Sequence, residues 1–139
     1  MPQLNAYLSF DGQCVEAMKF YAEVLGGKLD ALITYGDMPG DQPCPASHAG
    51  RIMHANITHP DFVLMAGDTP PGVVFEGMKG VMMTLTYDSA AEARRVFDKL
   101  AAGGTVTMPL AETFWAETFG MVTDRFGTGW GVNGGSKAM

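Results

Sequence analysis

The chain has no apolar run that approaches the ~20 residues needed to cross a bilayer as a helix. That excludes a membrane-spanning helical protein. Basic residues are few: nine Lys and Arg stand against fifteen Asp and Glu, for a net charge of −6, and the pI is about 4.8. With no Lys/Arg cluster, an acidic chain repels phosphate backbones, so nucleic acid is not an expected partner. There are two cysteines, Cys14 and Cys44. They lack CxxC or metal-ligand spacing and are read as reduced thiols. No basic region followed by an apolar stretch opens the sequence, so no secretion signal is expected and the cytoplasm is the expected compartment. A phosphate-cradling Gly loop, HExxH and a nucleophile elbow are all absent, which leaves those chemistries without a motif.

What remains is an ordinary globular composition. Over 139 residues, 47% are hydrophobic and 17% charged, which suits one domain with a modest core. Eleven methionines are many for this length. They either fill irregular gaps in a core or line an adaptable apolar pocket.

Alternation organises the chain. Leu4, Ala6, Leu8 and Phe10 share one side of a strand, with Asn5, Tyr7 and Ser9 on the other. After Asp11-Gly12, Val15, Met18, Ala22 and Leu25 recur at helical spacing, and Gly26-Gly27 stops the helix. The same sequence of events begins again at Val81. Val81, Met83, Leu85 and Tyr87 alternate, Ser89-Ala90-Ala91-Glu92 reads as a capping box, Ala93, Val96, Phe97 and Leu100 form a stripe, and Gly103-Gly104 ends it.

Strand-rich sequence follows each helix. In the first half these strands are Lys28 to Tyr35, then a hairpin of Arg51 to Thr58 and Phe62 to Ala66 turned by His59-Pro60-Asp61. Gly36 to Gly50 reads as a long surface loop. In the second half they are Thr105 to Leu110, then a hairpin of Gly120 to Thr123 and Trp130 to Asn133, turned by Asp124 to Gly129. The expected class is α+β: one domain over 1–139, built of two tandem βαβββ modules at about 1–70 and 78–135. The alternative is an α+β sandwich whose halves only look alike.

If helices cover the apolar faces of the sheets, the opposite faces carry Asn5, Tyr7 and Ser9; His54, Asn56 and Thr58; and Met82, Thr84 and Thr86. Polar groups mixed with Met and Tyr suit a small-molecule cleft; a solvated sheet face is the alternative. His54 is either a hydrogen-bonded structural residue or an acid/base group. Glu112 and Glu117 flank Trp115. Either is a candidate general base if buried beside that ring, because an apolar neighbour raises a carboxyl pKa; otherwise both are solvated. Asp124 reads as a turn-former whose carboxylate bonds local N–H groups. Trp115, Phe119 and Trp130 are expected as walls of the cleft or as its closing partner surface.

Several segments carry a resemblance. They are Tyr7-Leu8-Ser9-Phe10, Glu16-Ala17 to Phe20-Tyr21 with Gly26-Gly27, Tyr35-Gly36-Asp37-Met38-Pro39, His54-Ala55-Asn56, and Glu112-Thr113-Phe114-Trp115-Ala116 running through Asp124-Arg125-Phe126-Gly127 to Trp130. With the paired βαβββ plan, the chain resembles the vicinal oxygen chelate superfamily (the glyoxalase/bleomycin resistance/dioxygenase fold). Within it the chain is most similar to the PhnB-like branch, which has carried a 3-demethylubiquinone methyltransferase-like label. The resemblance implies curved mixed sheets around a cleft, and a homodimer.

Enzymes of the superfamily hold a divalent metal with side chains on the first and last strand of each module, and that metal chelates neighbouring substrate oxygens. Here those slots fall at Asn5 and Met82, near Val63 or Met65, and near Gly131. Met, Val and Gly do not hold a hard cation, and Asn5 is a feeble ligand. No metal and no other cofactor is therefore expected. The leading expectation is a metal-free binding protein for an unidentified small molecule. The alternative is a lyase, isomerase, dioxygenase or thiol-transferase with a relocated site built from His54 with Glu112 or Glu117. Methyl transfer is disfavoured, because no Gly-rich cofactor loop follows a first strand.

Overall fold

The computed structural model describes residues 2–37 and 47–137. Cys44, Met38, Pro39 and most of the loop expected over Gly36–Gly50 lie outside the described residues. The chain divides into two compact units, residues 1–77 and 78–139.

In the first unit the elements run β1 (Ala6–Phe10), α1 (Cys14–Leu25), β2 (Lys28–Thr34), a single 3-10 turn at Tyr35–Asp37, β3 (Ile52–His59) and β4 (Phe62–Asp68). The second runs β5 (Met83–Tyr87), α2 (Ala90–Ala101), β6 (Thr105–Ala111), β7 (Ala116–Thr123) and β8 (Gly129–Ser136). Each unit is a four-stranded mixed sheet, ordered β1-β4-β3-β2 and β5-β8-β7-β6. In both, the first strand lies parallel to the last. A parallel pair cannot be joined by a tight turn, so the helix and two strands form the crossover.

The repeat in the sequence is thus a repeat in structure. The two sheets can be matched by register. Tyr7 faces Met65 as Thr84 faces Gly131, and Phe10 faces Asp68 as Tyr87 faces Gly134.

Each helix covers one face of its own sheet. Alternate strand residues point to that face: Leu8 and Phe10, Ala55 and Ile57, and Leu64 and Ala66 are buried in the first unit. Val122, Trp130 and Val132 are buried in the second. The buried stripe of α1 is Cys14, Ala17, Met18, Tyr21, Val24 and Leu25. Met18 and Leu25 are expected there from their spacing. Val15 and Ala22 are only half-buried, because Cys14 and Tyr21 draw the stripe round by one position. The α2 stripe is the expected Ala93, Val96, Phe97 and Leu100.

The two helices start differently, and the sheets compensate. Ser89 caps α2, its Oγ accepting from the Glu92 N–H at 3.2 Å. Gln13 gives α1 no side-chain cap. Instead the buried Asp68 carboxylate accepts from Gly12 N–H at 2.8 Å and Cys14 N–H at 3.1 Å. Its other oxygen accepts from Ile52 N–H at 2.8 Å. At the matching place in the second sheet stands Gly134. A Cβ there would come within 2.5 Å of Ala93 Cβ and 2.7 Å of the Ser89 carbonyl oxygen. Where the helix caps itself, the sheet supplies close approach; where it does not, the sheet supplies a carboxylate.

Candidate functional site

The helix-free faces hold most of the expected site residues, and the two faces differ in chemistry. On the first, Tyr7 is half-exposed, its hydroxyl donates to the Met53 carbonyl at 3.1 Å, and its ring lies 5.8 Å from that of His54. Asn5 precedes β1. Asn56 does not stand free: its amide nitrogen donates to Asp30 Oδ1 at 2.9 Å and Thr58 Oγ1 at 3.1 Å, and Thr58 Oγ1 donates to Asp30 Oδ2 at 2.5 Å. The Thr58 and Asn56 hydrogen bonds hold the Asp30 carboxyl below its ordinary value. Strand alternation alone does not reveal Asp30, because the register shifts between Leu29 and Ala31. That irregularity brings the carboxylate into the Asn56–Thr58 network.

The second face is apolar at its centre. Register sets Thr84 beside Gly131, Gly131 beside Met121, and Met121 beside Met108. One step along, Thr86 neighbours Asn133 and Asn133 neighbours Phe119. Met82 precedes β5 and lays its thioether over Gly131: a Cβ on that glycine would stand 2.9 Å from Met82 Cε and 3.2 Å from Sδ. Trp115 packs on Phe119 with ring centroids 5.3 Å apart and on Phe114 at 4.9 Å. Its indole N–H donates to Asn133 Oδ1 at 2.8 Å. Asn133, Met108 and Met121 share this face and were not singled out by the sequence. The signal for Asn133 was available, since it shares strand parity with Gly131.

Trp130 is not on this face. It is buried among the helix-covered residues, and its indole N–H donates to Asp124 Oδ2 at 2.8 Å. Asp124 is itself buried, and its other oxygen accepts from Phe126 N–H at 2.9 Å and Thr128 N–H at 3.1 Å. Asp124 is therefore the turn-former expected of it. The expectation that Trp130 walls a cleft is corrected: β8 begins at Gly129, so Trp130 shares the parity of buried Val132.

Neither candidate acid is buried beside Trp115. Glu112 is exposed and ion-paired with Lys137. The hydrogen bond from Lys137 and its charge hold the Glu112 carboxyl below its ordinary value, opposite to the direction burial beside Trp115 would give. Glu117 is exposed as well, its carboxylate lying against Gly135. Both belong to the second unit and His54 to the first.

The slots that the resemblance assigns to a divalent metal do not fit one here. The register places Met65 and Gly131 at matching positions, and Met82 fills the space over Gly131. Among the described residues, no three His, Cys, Asp or Glu side chains come together as a metal would require.

The family described as 3-demethylubiquinone-9 3-methyltransferase matches residues 2–133. Protein YjdN of Escherichia coli (strain K12) is 36% identical over 138 residues, covering 94% of this chain and 93% of that one. The crystal structure of PA1353 from Pseudomonas aeruginosa superposes with a TM-score of 0.89 at 48% identity, over 96% of this chain and 98% of that one. A PhnB protein from Bacillus cereus superposes with a TM-score of 0.77 at 25% identity, over 96% and 99% of the two chains. At 16% identity and a TM-score of 0.63, a glyoxylase/bleomycin resistance protein/dioxygenase domain from Frankia sp. EAN1pec, matched over 97% and 98%, shares the fold.

Proposed function

The chain belongs to this PhnB-like family of the glyoxalase fold, and from that premise we propose that it binds a small apolar molecule without a metal. One observation carries the reading. The helix-free face of the second sheet groups Met82, Met108 and Met121 with Phe119 and Trp115 around Gly131. Thioethers and rings over a glycine floor give a polarizable, adaptable surface, and Thr84, Thr86 and Asn133 supply the few polar groups that orient a ligand. The first face suits this less, because Asn56 and Thr58 are spent on Asp30.

Methyl transfer is not carried over from the family's description. The chain after β1 is Asp11-Gly12-Gln13 and after β5 Asp88-Ser89, and neither is a Gly-rich cofactor loop. The proposal also takes the protein to be a cytoplasmic, bacterial homodimer. Val73 and Val74 are adjacent and exposed in the first unit, and paired exposed valines favour a partner copy.

The test is elemental analysis with native mass spectrometry of the purified protein. Expected are no stoichiometric metal, a dimer mass, and a melting temperature unchanged by EDTA and raised by ethylbenzene, since a ligand that binds only the folded state stabilises it. A near-stoichiometric Zn, Mn, Ni or Fe whose removal lowers the melting temperature overturns the reading.

A further inference from the structure

Asn133 is held in one orientation by its neighbour. An indole N–H can only donate, so the Asn133 atom that meets Trp115 Nε1 at 2.8 Å is the amide oxygen. The amide nitrogen then points away from the indole with both hydrogens unspent among the described residues. It lies on the sulfur-lined face, between Thr86 on one neighbouring strand and Phe119 on the other. An amide free to rotate would offer donor or acceptor to suit any ligand; this one offers a donor. Glu117 lies on the same face two residues along, against Gly135, a spacing of about 7 Å on a strand. Its charge disfavours an anionic ligand at that distance.

We propose that Asn133 Nδ2, oriented by Trp115, is the polar anchor of the site, and that the ligand is a neutral apolar molecule carrying a carbonyl-type acceptor oxygen. Asn133 touches the ligand; Trp115 is a positioning residue whose N–H fixes which end of the amide is presented. The inference rests on the face described above being a binding site, and its failure can be told apart from the failure of that reading.

The probes are acetophenone and ethylbenzene, which match in ring and chain but differ in one carbonyl. Binding is followed by NMR through the Asn133 side-chain amide, the Trp115 indole N–H and the methionine methyls. Wild type is expected to bind acetophenone about threefold to tenfold more tightly, the range of one net hydrogen bond, with the Asn133 amide protons shifting for acetophenone alone. Asn133→Asp keeps an oxygen for the indole and removes the donor. It is expected to abolish the preference for acetophenone, the ratio of the two affinities falling to one or below.

Trp115→Phe keeps a ring but frees the amide, so the preference falls and the Asn133 amide resonances move even without ligand. If Asn133→Asp does not fold, Trp115→Phe decides the matter by the same ratio. Equal affinities in wild type, or a preference that survives both substitutions, overturn the anchor and leave the apolar face standing. No shift of Met82 or Met121 methyls with either probe overturns both.

Discussion

The thioether of Met82 rests on Gly131, in the space that a side chain at residue 131 would occupy. The family resemblance assigns metal ligands to these two slots; here residue 131 has no side chain and Met82 lies over it. The contact also predicts how substitution will behave. Gly131→Ala meets only the tip of a flexible side chain, with Phe119 Cε1 at 3.4 Å. It should cost no more than about 1 kcal/mol of stability yet change binding of an apolar probe. Gly134→Ala meets Ala93 Cβ, the Ser89 carbonyl and Ala90 Cα, all held by helix backbone, and should cost about 2–3 kcal/mol or more. Denaturant midpoints of the two variants check the contrast.

Asp68 holds the start of α1 and the start of β3 together through three backbone N–H groups. Asp68→Ala leaves buried donors without an acceptor and should destabilise by about 3 kcal/mol or more. Asp68→Asn retains one oxygen and should lose roughly half of that. Urea unfolding measures both; equal stability of Asp68→Ala and wild type would contradict the role.

Trp130→Phe should cost about 2–3 kcal/mol, because it removes the indole partner of a buried carboxylate oxygen as well as packing volume. It should leave the affinity for apolar probes within about twofold, since Trp130 faces the helix. Trp115→Phe should do the reverse, with little effect on stability and a clear one on ligand preference. Thermal melts and probe titrations on the two variants separate a core tryptophan from a site tryptophan.

The alkaline limit of stability should come from weak acids that the fold keeps protonated. Burial, and after it the charge of Asp68, push the Cys14 thiol from its ordinary 9.0 up to about 12. Burial also raises the Tyr7 and Tyr87 phenols. The folded state therefore holds these protons more tightly than the unfolded chain. Their contribution is fully present below about pH 9 and is lost as pH rises toward about 12. The urea midpoint should fall across that window, and Cys14→Ala should flatten the fall. Native Cys14 should also resist alkylation at pH 8, where the thiolate is scarce.

Local sequence signals explain what was legible. Alternation in β1 and β5, the Ser89 cap and the paired glycines after each helix are all decided within a few residues, so the repeat and the family resemblance lie open in the chain itself. Asp124 was legible for the same reason, as its backbone donors are two and four residues away. Asp68 was not, because the helix it caps lies 54 residues earlier. Trp130 misled because it sits in an aromatic-rich segment that does contribute Trp115 and Phe119, while strand parity sends it to the other face. For Asn133 the parity that sets it beside Gly131 was legible; its hydrogen bond to the Trp115 indole was not, because the two residues lie 18 apart in the chain.

The measurement that bears most directly on the metal-free apolar site is a titration of EDTA-treated protein with ethylbenzene, followed through the methyl resonances of Met82, Met108 and Met121. Saturable shifts are predicted at these methionines, unchanged by added Zn or Mn and weakened by Met121→Glu. Shifts absent from all three, or binding that appears only when metal is restored, would contradict such a site.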